Sequence, residues 1–235
     1  MKIIAGNWKM NGNKAMLWEM ITAIGEIETE NKVIICPPST LIDEATSVDA
    51  NMNDIDFSIG AQDCSAHDSG AFTGEISAAM LDEVGAKYVI VGHSERRQYH
   101  GETSEVVHAK ANAALKNGLT PIICVGETLA DKQAGKTNEV LGAQLAGSIP
   151  AEGEIIVAYE PVWAIGTGLT ATADEIKATH KFIADAIKGR SPILYGGSVK
   201  PGNAAEIMNT ENVGGVLVGG AALKKEDFLP IILAV

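Results

Sequence analysis

The strongest constraint on the fold is a pattern that occurs eight times along the chain. Each unit begins with a short, apolar, β-rich run that ends in small or polar residues, and a helix-like stretch follows it. In the longest of these stretches, apolar residues recur three or four positions apart and charges occupy the other face, as in 15–28, 103–118 and 172–189. Strand–helix units in series predict parallel strands joined by right-handed crossovers. The eight runs are residues 2–8, 32–36, 57–62, 87–92, 119–126, 154–160, 192–197 and 213–220.

Two architectures accommodate eight such units, a doubly wound open sheet and a closed barrel. Several runs are apolar at consecutive positions, which is typical of parallel strands that are covered on both faces. The chain has 235 residues, close to the ~250 that are typical of a (β/α)8 barrel. No composition shift or long linker marks a domain boundary. The sequence therefore predicts an α/β fold, a single (β/α)8 barrel with outer helices that forms one catalytic domain over residues 1–235.

The charge and the cysteines limit the partners and the compartment. The formal net charge of -12 argues against nucleic acid or an anionic membrane as the main partner. No apolar run approaches the ~18 residues of a membrane span, and the first residues lack the features of a signal peptide. The three cysteines have no metal-ligand spacing and suit a reducing compartment. We expect a soluble, cytoplasmic protein without a metal site.

Polar and glycine residues at the predicted strand ends indicate an active site. The carboxyl ends of the strands meet at one face of a barrel, where barrel enzymes place their catalytic residues. Each residue alone has an ordinary explanation, such as a solvated lysine or a capping acid, so their shared position is the signal. Asp63 and Glu127 also follow strands, and position alone does not select the base. The candidates are Asn7, Lys9, His93, Glu95 and Glu160, with glycine-rich turns at 196–198 and 219–220.

The remaining histidines are predicted to be non-catalytic. They fall in polar loops or on helix-like stretches rather than at strand ends, at positions 67, 100, 108 and 180.

Six segments give the sequence a specific family resemblance. Together they span nearly the whole chain, and they occur in the order that the family shows. The sequence resembles the triosephosphate isomerase family in GNWKMNG (6–12), GAFTGE (70–75), VGHSERR (91–97), AYEPVWAIGTG (158–168), YGGSV (195–199) and VGGA (218–221). The resemblance implies interconversion of dihydroxyacetone phosphate and glyceraldehyde 3-phosphate through an enediolate, in glycolysis and gluconeogenesis and without a cofactor.

The resemblance also implies a role for each candidate catalytic residue. Glu160 would be the base that removes a proton from carbon. His93 would act on the substrate oxygens as a neutral imidazole, because the start of the following helix disfavours a second proton. Lys9 would supply a fixed positive charge and Asn7 a hydrogen bond. Glu95 resembles the second acid of the family motif, and a salt bridge that positions Lys9 is its simpler alternative.

Backbone amides are implied as the phosphate ligands, which would let an acidic chain bind an anionic substrate. The implied binding residues are Gly166, Ser198, Leu217, Gly219 and Gly220. A lid would close over the phosphate, with one hinge at 161–163, a tip at 164–167 and a second hinge at 168–170. An ordinary surface loop is the alternative, but Trp163 and Ile165 are costly to expose without a surface to contact.

The loop after the third predicted strand is unusually long, and the resemblance implies that it contacts a second subunit. Residues 61–77 exceed the two to six residues that are usual for a βα connection, and a solvated surface loop is the alternative. The resemblance implies that Phe72 and Thr73 insert beside the first loop of a partner, with Met10 and Gln62 in the same interface. We expect a homodimer in which Thr73 supports the catalytic residues of that first loop.

Two other functions fit parts of the pattern. A different phosphosugar isomerase barrel would share the glycine-rich phosphate loops, but it gives no reason for VGHSERR together with YEPVWAIGTG. A scaffold protein that has lost activity predicts damage at Lys9, His93 or Glu160, and none is visible.

Overall fold

Eight parallel strands close into a barrel in chain order. The computed structural model describes residues 1–49, 55–165 and 169–235. Each strand pairs with its neighbour in the chain, and β1 also pairs with β8. The strands are β1 Ile3–Asn7, β2 Lys32–Cys36, β3 Phe57–Ala61, β4 Tyr88–Val91, β5 Thr120–Val125, β6 Ile156–Tyr159, β7 Ile193–Tyr195 and β8 Gly215–Val218.

The register shows the closure directly. Gly6 of β1 lies opposite Ile35 of β2 on one side and opposite Val218 of β8 on the other. An open, doubly wound sheet would leave its two edge strands unpaired on one side. The predicted barrel is therefore confirmed.

Helices connect the strands. They are α1 Lys14–Gly25, α2 Ile42–Asp49, α3 Ala78–Glu83, α4 Ser94–His100, α5 Ser104–Lys116, α6 Leu129–Gln133, α7 Thr137–Ser148, α8 Ala173–Ala186, α9 Ala204–Asn209 and α10 Lys225–Ile232. Short 3₁₀ turns lie at Ser39–Leu41, Val162–Ala164 and Gly220–Leu223. Among the residues described, no helix combines the length and the apolar character that crossing a bilayer requires.

The strands are buried on both faces, which explains their consecutive apolar residues. In β2, Ile34 belongs to a cluster formed mainly by strand residues, and we take this cluster as the barrel interior. The next residue, Ile35, belongs to the larger cluster that strands and helices share. Alternate residues of one strand thus fill two cores.

Candidate active site

A large cavity lies at the carboxyl ends of the strands. Its volume is about 600 Å³, and Ile165 of the predicted lid borders it. Glu95 is not in its lining, and Gly166 lies outside the described residues, as does the rest of 166–168. Eight predicted site residues line the cavity: Asn7, Lys9, His93, Glu160, Ser198, Leu217, Gly219 and Gly220.

Glu160 follows β6 and is only 2% exposed. Its Oε1 lies 2.8 Å from Nε2 of His93, and its Oε2 accepts the N–H of Ser94 at 2.9 Å. Burial alone would raise the pKa of Glu160, but the imidazole and the Ser94 N–H outweigh burial and hold the pKa below its ordinary value. In this arrangement two groups hold the carboxylate, which is a weaker base than an ordinary glutamate.

Two glycines permit the neighbouring strands to approach Glu160 closely. A Cβ added at Gly126 would lie 1.8 Å from the carbonyl oxygen of Glu160, and one at Gly196 would lie 3.0 Å from its Cγ. A side chain at Gly126 would therefore displace the backbone that carries the carboxylate.

His93 is the N-cap residue of α4 and is 5% exposed. Its Nδ1 accepts the backbone N–H of Glu95 at 3.2 Å, which places the ring proton of the neutral tautomer on Nε2. Burial disfavours the imidazolium, but the Glu160 carboxylate opposes burial and raises the pKa of His93. That attraction weakens when Glu160 turns away, and burial and the helix start then both favour the neutral ring.

Lys9 follows β1 in a strained backbone conformation. Its φ is +51°, in the left-handed region that favours glycine. Oδ1 of Asn7 accepts the Lys9 N–H at 2.9 Å, and Nζ of Lys9 lies 2.5 Å from Oε1 of Glu95. The salt bridge considered as an alternative role for Glu95 is thus formed, and it fixes the direction of the ammonium group.

Ser198, Gly219 and Gly220 line the same cavity as Lys9. Within the described parts of the chain, no protein acceptor takes the N–H of Ser198, Gly219 or Gly220. A Cβ at Gly219 would lie 3.6 Å from Cε of Lys9, so the turn after β8 lies next to the lysine. Leu217 is 4% exposed and contributes an apolar surface to the cavity. The lining of the cavity therefore includes three backbone donors without a described protein acceptor and one cation.

Trp163 contacts the side chains of Glu127 and Lys132. Its Nε1 donates to Oε1 of Glu127 at 2.8 Å, and Nζ of Lys132 lies 3.4 Å from the centre of its ring. Tyr159 donates its hydroxyl to the same Glu127 oxygen at 3.2 Å. Glu127 therefore anchors the segment after Glu160, which answers why a second acid ends a strand here.

The other histidines are remote from the cavity. His67 stacks on Phe72 with ring centres 4.0 Å apart. His180 is buried beside Tyr159, and burial lowers its pKa to about 4. None of the histidines besides His93 lines the cavity in the part of the chain that is described.

A buried charge network, which the sequence pattern does not predict, lies next to the first loop. Nζ of Lys110 lies 2.7 Å from Asp63 and 2.6 Å from Glu102, and Nε of Arg96 lies 2.5 Å from Glu102. Asp63 at a strand end was the one visible signal. The network joins α4 and α5 to the loop after β3.

Lys110→Met is expected to lower the free energy of unfolding by about 3 kcal/mol, the lower end of the range for breaking a buried ion pair, because Asp63 and Glu102 lose one of their two shared cations and keep only Arg96. Lys110 is 7% exposed. The control is Lys116→Met, which breaks an exposed pair with Asp68 and should leave the denaturation midpoint nearly unchanged. Urea titration of both variants makes the measurement. Equal midpoints would contradict the structural weight given to the network.

Two of the predicted interface residues, Met10 and Gln62, line a second cavity. It has a volume of about 360 Å³ and is lined by Met10, Gln62 and Gly74 among others. Met10 is 96% exposed, whereas Nε2 of Gln62 donates to the carbonyl oxygen of Lys9 at 2.8 Å. Phe72 and Thr73 lie exposed in the loop after β3.

The fold and the cavity together define a class of protein. A closed parallel barrel with a carboxylate, an imidazole and an ammonium group at its carboxyl face is typical of (β/α)8-barrel enzymes that use acid–base chemistry. The family model described as "Triosephosphate isomerase" matches residues 2–235.

Individual relatives agree. The chain is 53% identical to the triosephosphate isomerase of Afipia carboxidovorans, over 97% of this chain and 95% of the relative. It is 52% identical to that of a Ruegeria species, over 99% and 97%. The crystal structure of the triosephosphate isomerase from Bartonella henselae superposes with a TM-score of 0.89 at 41% identity, covering 99% of this chain and 98% of that one. The chain therefore belongs to the triosephosphate isomerase family and is an isomerase.

Proposed function

We propose that the protein interconverts dihydroxyacetone phosphate and D-glyceraldehyde 3-phosphate, with the whole chain acting as one catalytic domain. The observation that carries the proposal is the convergence of Glu160, His93 and Lys9 on one cavity. Membership of the family supports the choice of substrate. The reaction needs a base for a weakly acidic C–H bond, donors for the oxygens, and a seat for the phosphate.

Glu160 is proposed as the base. To reach a substrate carbon it must leave Nε2 of His93 and the N–H of Ser94, the groups that now lower its pKa. Its pKa then rises because burial remains and those partners are lost. The carboxylate takes a proton from C1 of the ketone, and an enediolate forms. The hydroxyl proton on O1 passes to O2 by way of Nε2 of His93, and the carboxyl group of Glu160 returns its proton to C2.

Nε2 of His93 and Nζ of Lys9 are proposed to stabilise the enediolate. A neutral imidazole donates one hydrogen bond from Nε2 and can follow the charge from one oxygen to the next. The ammonium group is held in place by Glu95, so little reorganisation is needed when charge develops. Asn7 fixes the Lys9 backbone and lines the same cavity.

The phosphate is proposed to bind the N–H groups of Ser198, Gly219 and Gly220, with Gly166 completing the site and Leu217 lining it. Three donors without a protein acceptor support this assignment, and Lys9 adds a charge. A lid over 161–170 would exclude water from the enediolate, because water promotes loss of phosphate. Ile165 borders this side of the cavity, and no cofactor is needed.

A coupled assay on glyceraldehyde 3-phosphate tests the function. We expect isomerisation without any added metal or cofactor, competitively inhibited by 2-phosphoglycolate. Activity on a larger phosphorylated aldose but not on the triose would favour a different phosphosugar isomerase. No turnover of either substrate, with phosphate still bound, would favour an inactive scaffold.

The active form is proposed to be a homodimer in which the loop with Phe72 and Thr73 enters the second cavity of a partner. The opening beside Met10 and Gln62 supports this arrangement. The loop would bear on the segment after β1 and so on Lys9. We also propose a cytoplasmic location, since the three cysteines are buried and unpaired.

Sedimentation at micromolar concentration is expected to give a dimer. Thr73→Arg places a charge where the loop would be buried, so it should shift the protein to monomer and lower kcat. Glu152→Arg is the control and should remain dimeric and active. Glu152 is exposed and lies between α7 and β6. A wild-type protein that sediments only as monomer would overturn the proposal.

A further inference from the structure

The guanidinium of Arg97 joins two strand ends behind the candidate site. Arg97 belongs to α4, whose N-cap residue is His93. Its Nε donates to the carbonyl oxygen of Gly92 at 2.9 Å, and its Nη2 donates to the carbonyl oxygen of Cys124 at 3.1 Å. These carbonyls terminate β4 and lie near the end of β5.

Two hydroxyls complete the coordination. Nη2 also donates to Oγ of Ser148, which is fully buried, at 3.1 Å, and Nη1 donates to Oγ of Ser104 at 3.3 Å. Within the described residues, no carboxylate lies within ion-pair distance of Arg97. Burial correspondingly lowers the pKa of the guanidinium.

A partly buried cation without an acid beside it is costly to maintain. A lysine or an apolar residue would fill similar volume, but neither supplies a planar fork that holds two carbonyls at fixed angles. The arrangement therefore contributes geometry that ordinary packing does not.

Each of the two carbonyls is connected, through covalent or hydrogen bonds of the backbone, to one of the two proposed reacting residues, His93 and Glu160. Gly92 is bonded to His93. Cys124 precedes Val125, whose carbonyl oxygen accepts the backbone N–H of Glu160 at 2.8 Å. Arg97 therefore holds Gly92, the residue before His93. It also holds Cys124, the residue before Val125, and Val125 is hydrogen-bonded to the backbone of Glu160.

We propose that Arg97 is a positioning residue that sets the separation between the His93 imidazole and the Glu160 backbone by clamping the ends of β4 and β5. The inference rests on the proposed function of that site. Arg97 does not line the cavity, so it acts through the two strand ends.

The alternative is a staple that only stabilises the fold, and the chain contains a matched example. Arg190 also donates to two backbone carbonyls, those of Pro150 and Ala151, but it precedes β7 at the opposite end of the barrel. Losing that fork should affect stability without affecting catalysis.

The test compares Arg97→Lys with Arg190→Lys in the full-length protein. Both keep the charge and lose the fork. We expect Arg97→Lys to lower kcat about 10- to 100-fold with little change in KM, because the two groups lose their registration in the transition state. Arg190→Lys should keep the wild-type kcat.

The ¹⁵N shifts of the His93 imidazole provide a readout that a merely structural role would not move. They should change in Arg97→Lys and stay unchanged in Arg190→Lys, whether or not the enzyme turns over triose phosphate. If Arg97→Lys does not fold, Ser148→Ala is the substitute variant, because it keeps the arginine and removes one of its acceptors. It should also lower kcat, but by a smaller factor.

The outcomes separate the two proposals. An active wild type with normal kcat and normal His93 shifts in Arg97→Lys overturns the positioning role alone, and so does a fully active Ser148→Ala. An inactive wild type whose His93 shifts still move in Arg97→Lys overturns the proposed function and leaves the clamp standing.

Discussion

Glu160→Asp is expected to lower kcat on the order of 10²-fold or more, with KM changed far less. The shorter side chain withdraws the carboxylate by about 1 Å from the carbon that it must deprotonate, and proton transfer is sensitive to that distance. The strand end cannot follow, because the Glu160 N–H is bonded to the carbonyl of Val125 and its carbonyl oxygen lies against Gly126. Steady-state kinetics in both directions measure the effect.

The control for this substitution lies at the other end of the same strand. Glu154 is exposed and precedes β6, so Glu154→Asp removes the same methylene away from the cavity and should leave kcat unchanged. Circular dichroism should show both variants folded. Near-normal turnover in Glu160→Asp would remove Glu160 from the role of base.

Lys9→Met is expected to lower kcat/KM on the order of 10³-fold, the upper part of the range for losing one preorganised donor. The lysine is proposed to serve both the phosphate and the enediolate, so binding and turnover should fall together. The substitution also leaves Glu95 without its partner and adds an unbalanced negative charge near the anion.

Calorimetry with 2-phosphoglycolate separates the two losses. We expect Lys9→Met to bind the analogue much more weakly than the wild type does. Lys116→Met removes an ammonium group far from the cavity and should bind it normally. Equal affinities in the two lysine variants would contradict a role for Lys9 in holding the anion.

The barrel could be predicted because each buried strand appears in the sequence as a short apolar run. All eight predicted runs contain a strand, and β2 matches its run at both ends. The other runs extend too far. Residues 154–160 were predicted as one strand, but β6 covers only Ile156–Tyr159, the residues that pair with β5 and β7. Apolar character marks which residues are buried, and hydrogen bonding to a neighbour decides which are paired.

The candidate site could be predicted only for residues whose position at a strand end indicates a role. The residues at strand ends converge because the topology brings those ends together. The Asp63–Glu102–Lys110 network and the contacts of Arg97 were missed, since they depend on how α4 and α5 lie against distant strands. A basic Glu160 was expected, whereas its carboxylate is engaged by His93, a contact that only the folded chain creates.

The left-handed backbone conformation at Lys9 lowers the stability of the fold but is needed for the proposed role of the lysine side chain. A lysine held at φ +51° costs about 1 kcal/mol relative to a glycine, which adopts this conformation without strain. The loop must turn there for the ammonium group to face Gly219 and the cavity. Laboratory evolution for heat resistance alone would therefore favour glycine at position 9, and only a screen that scores turnover would favour lysine.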